Sequence, residues 1–151
     1  MTRDWNLPLT YLPKIEPVRT GKCTQTIRFC TISKSKKHPG EIIRKQVGDR
    51  VRFYRWTGRP YWSHPEYITE YMELIEAEPL VIYPNGIAWP KRWDWANHTV
   101  YHEWDDGAVW NLAIRDFIDP PAGKALRDVL IGKNGKIPAE GVSAQILRWK
   151  P

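Results

Sequence analysis

Two short runs limit the folds open to this chain more than anything else in it. Thr24-Gln25-Thr26-Ile27-Arg28-Phe29 and Arg50-Val51-Arg52-Phe53-Tyr54-Arg55-Trp56 are rich in β-branched and aromatic residues and alternate in character. That period of two belongs to a strand with two unlike faces. Each run follows a turn, one at Gly21 and one at Val47-Gly48-Asp49. In the second run Val51, Phe53 and Arg55 share one face, while Arg50, Arg52, Tyr54 and Trp56 share the other. A sheet is therefore required, and one of its faces carries cations interleaved with rings.

The remaining elements are short. Leu9–Leu12, between Pro8 and Pro13, suits an edge strand, and Lys14–Thr20 suits a brief helix that takes Pro17 in its first turn and stops at Gly21. Ser33–Gly40 reads as a basic loop carrying Lys34, Lys36, Lys37 and His38. Tyr67–Tyr83 fits either an acidic amphipathic helix or strands broken at Pro79, with Leu80–Tyr83 favouring strand. Asp105 or Asp106 can cap a helix running through Val109, Leu112, Ala113 and Phe117, and Asp119-Pro120 can start another carrying Ala125, Leu126, Val129 and Leu130. Val142–Trp149 closes the chain as a strand. The expected class is α+β, with a small, strongly curved sheet or β-barrel and short helices at its rim.

At 151 residues, the chain suits one domain with its own core. No apolar run approaches the roughly 18 residues of a membrane span, no leader is apparent, and Cys23 and Cys30 lack metal-binding or secretory spacing. A soluble, cytoplasmic chain with reduced thiols is expected. The charge is polarised: residues 1–60 carry fourteen Lys or Arg against four Asp or Glu, residues 61–119 three against eleven. A basic first part favours a polyanionic partner, because each neutralised phosphate releases counterions. Glycine patterns that cradle nucleotide triphosphates or dinucleotides are missing, so no cofactor is expected.

Gly21-Lys22-Cys23-Thr24-Gln25-Thr26-Ile27-Arg28 resembles the signature of the ASCH family, a relative of PUA domains, in which a G-x-K-T-x-T-x-R-like segment follows a short helix. Val47–Val51 is similar to the family's Gly-Asp entry to a strand, Ala113–Phe117 to the end of its helix, and Ala144–Trp149 to its closing strand. The resemblance spans the whole chain, with the Trp-rich stretch Trp89–Trp104 as an insertion. It implies a small PUA-like β-barrel with a cleft for RNA or a modified nucleoside. Some members deacetylate 4-acetylcytidine with a lysine, a threonine and an acid. Those positions fall here on Cys23, Thr26 and Asp116, with Lys22 beside the substituted lysine.

The leading expectation is a nucleic-acid-binding module, RNA or another single strand being the partner. Lys22, Thr24, Thr26 and Arg28 would line the cleft, and Arg52, Tyr54, Trp56 and Arg59, followed by Tyr61 and Trp62, would track a backbone while stacking bases. The alternative is a hydrolase acting on a nucleoside or RNA, with Lys22, Thr26 and Asp116 as its catalytic groups. A third reading uses the acidic middle and its Trp residues as a protein contact. Cys23 with His38 or His64 as base is a weaker nucleophile reading. Trp89, Trp93, Trp95 and Trp104 are expected to pack rather than bind a base. His98 and His102 lie four apart but lack a third ligand and sit among strand-prone residues, so no metal is expected.

Overall fold

The computed structural model describes residues 2–90, 99–116, 118, 123–132 and 135–150. The chain runs β1 (Asp4–Pro8), a 3-10 turn (Leu12–Lys14), α1 (Ile15–Arg19), β2 (Gln25–Phe29), β3 (Thr31–Ile32), β4 (Ile42–Ile43), β5 (Arg50–Trp56), β6 (Pro65–Tyr67), β7 (Met72–Tyr83), β8 (Gly86–Pro90), β9 (Thr99–Glu103), α2 (Gly107–Arg115), α3 (Gly123–Ile131) and β10 (Val142–Trp149). Strands dominate and the helices are few and short, so the protein is mostly β rather than an even α+β mixture.

Eight strands form one mixed sheet with the path β1-β5-β7-β10-β2, while β6 adds to β5 and the β8–β9 hairpin adds to β7. β1 runs parallel to β5, and the other pairings in this sheet are antiparallel. The sheet does not close, which corrects the expected barrel. β1 and β2 are the two ends of the path and have no pairing with each other. Closure would need an unbroken donor–acceptor row on both strands. β1 instead stops at Pro8, which has no N–H, and the expected edge strand Leu9–Leu12 is not a strand. Pro13 draws the chain into a 3-10 turn that Lys14 N–H closes on Tyr11 C=O at 3.1 Å.

The long strand β7 resolves the ambiguous acidic region as strand. Its first residues pair with β5, its last with β8, and Pro79 falls between, opposite Gln145 of β10. The other flank of Pro79 has no ladder partner, which is where a residue without an N–H fits. β10 is central and buried on both faces. Leu147 and Trp149 pack with Leu7, Val51, Phe53, Leu74, Ile15 and Val18 in one core, and Phe53 meets Trp149 at 5.0 Å between ring centroids. Ala144 and Ile146 face a second core built with Ile27, Leu80 and Ile82 against Val109 and Leu112 of α2 and Leu126 of α3. Asp106 caps α2, accepting from Ala108 N–H at 2.8 Å.

Of the Trp-rich stretch, the two ends are the β8–β9 hairpin. Trp89 and Trp104 pack against the second core, and Trp104 Nε1–H donates to Pro84 C=O at 3.0 Å. Trp93, Trp95 and His98 lie outside the described residues, as do Phe117 and Asp119-Pro120. No helix among the described residues is long and apolar enough to cross a membrane.

Candidate functional site

The unclosed seam between β1 and β2 is a cleft. Leu9, Thr10 and Tyr11, just past β1, form one side; Thr26, Ile27, Arg28 and Phe29 of β2 form another; Val129 and Leu130 of α3 a third. Lys14 and Asp116 also line it, and the cavity encloses about 170 Å³. The sheet's failure to close and the existence of a site are thus one feature.

Within the cleft, Lys14 Nζ lies 2.9 Å from Asp116 Oδ1, and both side chains are about 4% exposed. Lys14 comes from the 3-10 turn and Asp116 from the C-terminal end of α2, two elements joined here by charge. Burial pushes the Asp116 carboxyl above its ordinary value, against the pull of Lys14 and Arg28. Arg28 Nε–H donates to Thr26 Oγ1 at 3.3 Å, and its guanidinium lies 5.7 Å from the centroid of the Phe53 ring. Burial lowers Arg28 to about 10, while Asp116 and Tyr54 act in the opposite direction.

Thr26, Arg28 and Asp116, all read from the sequence, therefore meet in one cavity. Lys22 and Thr24 do not join them. Both line a separate open groove with Gln25, Ile114, Arg115 and Arg148. Strand alternation carried back to Lys22 fails because Gly21 takes a positive φ of 79° and β2 begins only at Gln25. The lysine in the cleft is Lys14, which sequence reasoning missed: a lysine inside a predicted helix carries no mark of burial, and only the Pro13 turn and Asp116 put it there. Lys14 and Asp116 also act electrostatically on the Cys23 thiol, in opposite directions.

Cys23 is fully buried, with Sγ 3.3 Å from Gln25 C=O and 3.9 Å from Arg115 C=O. Burial pushes this thiol up, which keeps it protonated and unreactive. His38 pairs instead with Glu41 at 3.3 Å, and the turn holding His64 is tied by its carbonyl to Thr57. The Cys–His arrangement is therefore not assembled. His102 Nδ1 lies 3.3 Å from Asp106. Among the described residues, no group of three or more His, Cys, Asp or Glu is placed to hold a metal.

A second surface starts beside the cleft. The outward residues of β5 alternate as expected: Arg50, Arg52, Tyr54 and Trp56 stand opposite the buried Val51 and Phe53. Arg55, expected on the inner face, pairs with Glu66 of β6 at 3.1 Å. Arg52 lies 3.6 Å from the centroid of the Tyr67 ring and 4.4 Å from that of Tyr71, with its Nε–H on Asn6 Oδ1 at 3.2 Å. Tyr54 meets Trp56 at 5.5 Å and Tyr67 at 6.4 Å, and Trp56 meets Tyr61 at 5.2 Å. Arg59 lies 5.4 Å from the Trp62 centroid. Tyr61 and Trp62 are 88% and 80% exposed, and Tyr61 holds a positive φ of 66° that a non-glycine residue adopts at a cost. Tyr67 and Tyr71 fall in the segment read only as ambiguous between helix and strand and were not expected at the site, because the three-residue β6 and the connection after it give no pattern long enough to assign a face.

Comparison with family models, with curated proteins and with solved structures gives no match. The resemblance to the ASCH family rests on the motif residues themselves.

Proposed function

We propose that this chain is a nucleic-acid-binding module of the cytoplasm, with RNA or another single strand as its ligand. The observation that supports this reading is the β5–β6 surface, where Arg52 and Arg59 each lie over a ring and Trp56, Tyr61 and Trp62 continue the aromatic row, while Arg50 at its end is paired with Asp4 at 2.6 Å. Exposed rings bury their faces when bases stack on them, contributing about 1–3 kcal/mol per base. Guanidinium groups among those rings meet the phosphates between the bases. The basic loop Ser33–Gly40 and the net positive first sixty residues add a long-range attraction.

Anisotropy titrations of labelled single-stranded RNA and DNA at several salt concentrations test it. Binding that weakens steadily with salt supports the reading. No binding to either strand at low salt refutes it.

A hydrolase acting on a nucleoside or RNA is the second reading, supported by the meeting of Lys14, Thr26 and Asp116 in the seam. Asp116, held above the ordinary carboxylate value, suits a general acid or base. Thr26 Oγ1 suits activation of water and Lys14 supplies the cation, in place of the expected Lys22. Incubation with 4-acetylcytidine and with RNA, followed by product analysis, separates the two readings.

A further inference from the structure

The seam holds more positive charge than its own carboxylate balances. Lys14 and Asp116 neutralise one another. Arg28 makes no ion pair with a carboxylate among the described residues; its contacts are the Thr26 hydroxyl and the Phe53 ring. Behind it Lys45, 7% exposed, places its ammonium 4.6 Å from the Trp5 centroid and likewise has no carboxylate at ion-pair distance among the described residues. Lys45 N–H donates to Gln145 Oε1 at 2.9 Å, and Gln145 stands opposite Arg28 in the β10–β2 ladder; burial and then Arg28 hold the Lys45 ammonium below its ordinary value, while Asp49 acts in the opposite direction. Keeping a cation without an ion-paired carboxylate out of water is costly, and an anion arriving in the cavity beside Arg28 offsets that cost.

The size and position of the cavity narrow the anion. Its 170 Å³ is well below the roughly 300 Å³ at which sites for whole small molecules begin, so a single group of a larger ligand enters. Between Leu9–Tyr11 on one side and Val129 and Leu130 on another, a space of that size holds one charged group. An internal phosphodiester, flanked by two nucleosides, needs a groove. A terminal phosphate does not, and it carries close to two negative charges at neutral pH. The platform strand borders the seam: Leu9, which lines the cavity, donates its N–H to Tyr54 C=O at 2.8 Å.

We propose that the seam is an end-binding site: it receives the terminal phosphate of a single strand whose bases lie on the β5–β6 rings, with the Arg28 fork and the Thr26 hydroxyl on its oxygens and Lys45 behind. This rests on the nucleic-acid reading above and adds a requirement for a chain end. Arg28 supplies paired N–H donors in the plane that matches phosphate oxygens. Lys14 covers Asp116, so the incoming anion does not face a bare carboxylate.

One short oligoribonucleotide, prepared with a 5′-phosphate, with a 3′-phosphate and with hydroxyls at both ends, is titrated by anisotropy at one salt concentration. One phosphorylated form is expected to bind at least about tenfold more tightly than the hydroxyl form, the scale of one hydrogen bond to a charged group. Arg28→Gln and Lys45→Met each reduce that preference, with thermal melts confirming that both variants are folded. Inorganic phosphate in excess also removes the preference. Equal affinity of all three forms overturns the end-binding site and leaves the binding module standing, whereas no binding of any form overturns the module itself.

Discussion

Lys14 Nζ and Asp116 Oδ1 meet at 2.9 Å inside the seam, 102 positions apart in sequence and both nearly removed from water. This pair ties the Pro13 turn to the end of α2 across the one line where the sheet fails to close. Each charge is tolerable only because the other is present.

Removing one partner is therefore expected to cost more than removing both. Lys14→Met leaves Asp116 buried without its ammonium, and Asp116→Leu leaves Lys14 without its carboxylate, each for about 3–5 kcal/mol. The Lys14→Met/Asp116→Leu double variant should recover most of that loss, which a urea-denaturation cycle over the four proteins measures. In Lys14→Met the Asp116 pKa rises further above its unfolded value. The folded state then binds more protons than the unfolded state in that window, so the variant loses stability as pH rises through it. A pH-independent cost would contradict this account.

The seam shows which parts of the site could be read in advance. Thr26 and Arg28 were legible because alternation holds along the real strand, Gln25–Phe29, and Asp116 was legible through a motif at a helix end. Lys22 was misplaced because one glycine with positive φ ends the extended geometry on which alternation depends. Lys14 was invisible, since its burial comes from an element a hundred residues away. The failure to close was equally hidden: whether β1 and β2 pair depends on how Pro8 and Pro13 direct the chain after the strand, which no periodicity reports. The cation–aromatic face of β5 needed only its own residues, and there the expected order of Arg50, Arg52, Tyr54 and Trp56 is found.

Asp49 gives a test at low pH. Its carboxylate accepts from Arg3 N–H, Trp5 Nε1–H and Gln46 N–H, each at 3.0 Å, gathering the start of β1 and the turn before β5. Burial pushes the carboxyl up, but these donors outweigh it and the net shift is downward. With the folded value below the unfolded one, the stabilisation is fully present above the ordinary carboxylate value near 3.9 and is lost as pH falls through the folded value. Asp49→Asn should be less stable at neutral pH, by about 1–3 kcal/mol, and should show a shallower acid limb between about pH 5 and 2. Parallel acid limbs for the two proteins would count against this role.

Cys23 and Cys30 should separate cleanly by reactivity. Both thiols are held above their ordinary value by burial, but Cys23 is fully enclosed in the connection between α1 and β2 while Cys30 is partly accessible just past β2. With a maleimide at neutral pH, Cys30 labels first, helped by Arg44 and Lys45, which favour its thiolate. Cys23 labels only as fast as the domain opens, so its rate should follow urea concentration along the unfolding curve. Early labelling of Cys23 in the folded protein, read by peptide mass, would show that the first core is looser than its packing implies.

The β5–β6 platform divides binding energy between rings and cations, and the two parts respond to different variables. Trp62→Ala removes a ring that is 80% exposed and packs under Arg59, so its loss should not disturb the cores. It is expected to weaken binding of a single strand by about 1–3 kcal/mol with little change in the salt slope, because a stacked base releases no counterions. Arg59→Gln should do the reverse, weakening binding less at high salt than at low salt and reducing the slope by about one when that residue meets a phosphate. Arg52 sits between these cases, since it lies on Tyr67 and Tyr71 and also bonds Asn6. Arg52→Gln should lower both the slope and the salt-independent part as the Tyr67 ring loses its cover. Anisotropy titrations of the three variants across a salt series separate the contributions. If Trp62→Ala and Arg59→Gln shift the slope equally, the rings are not stacking bases and the platform contributes to binding through charge alone.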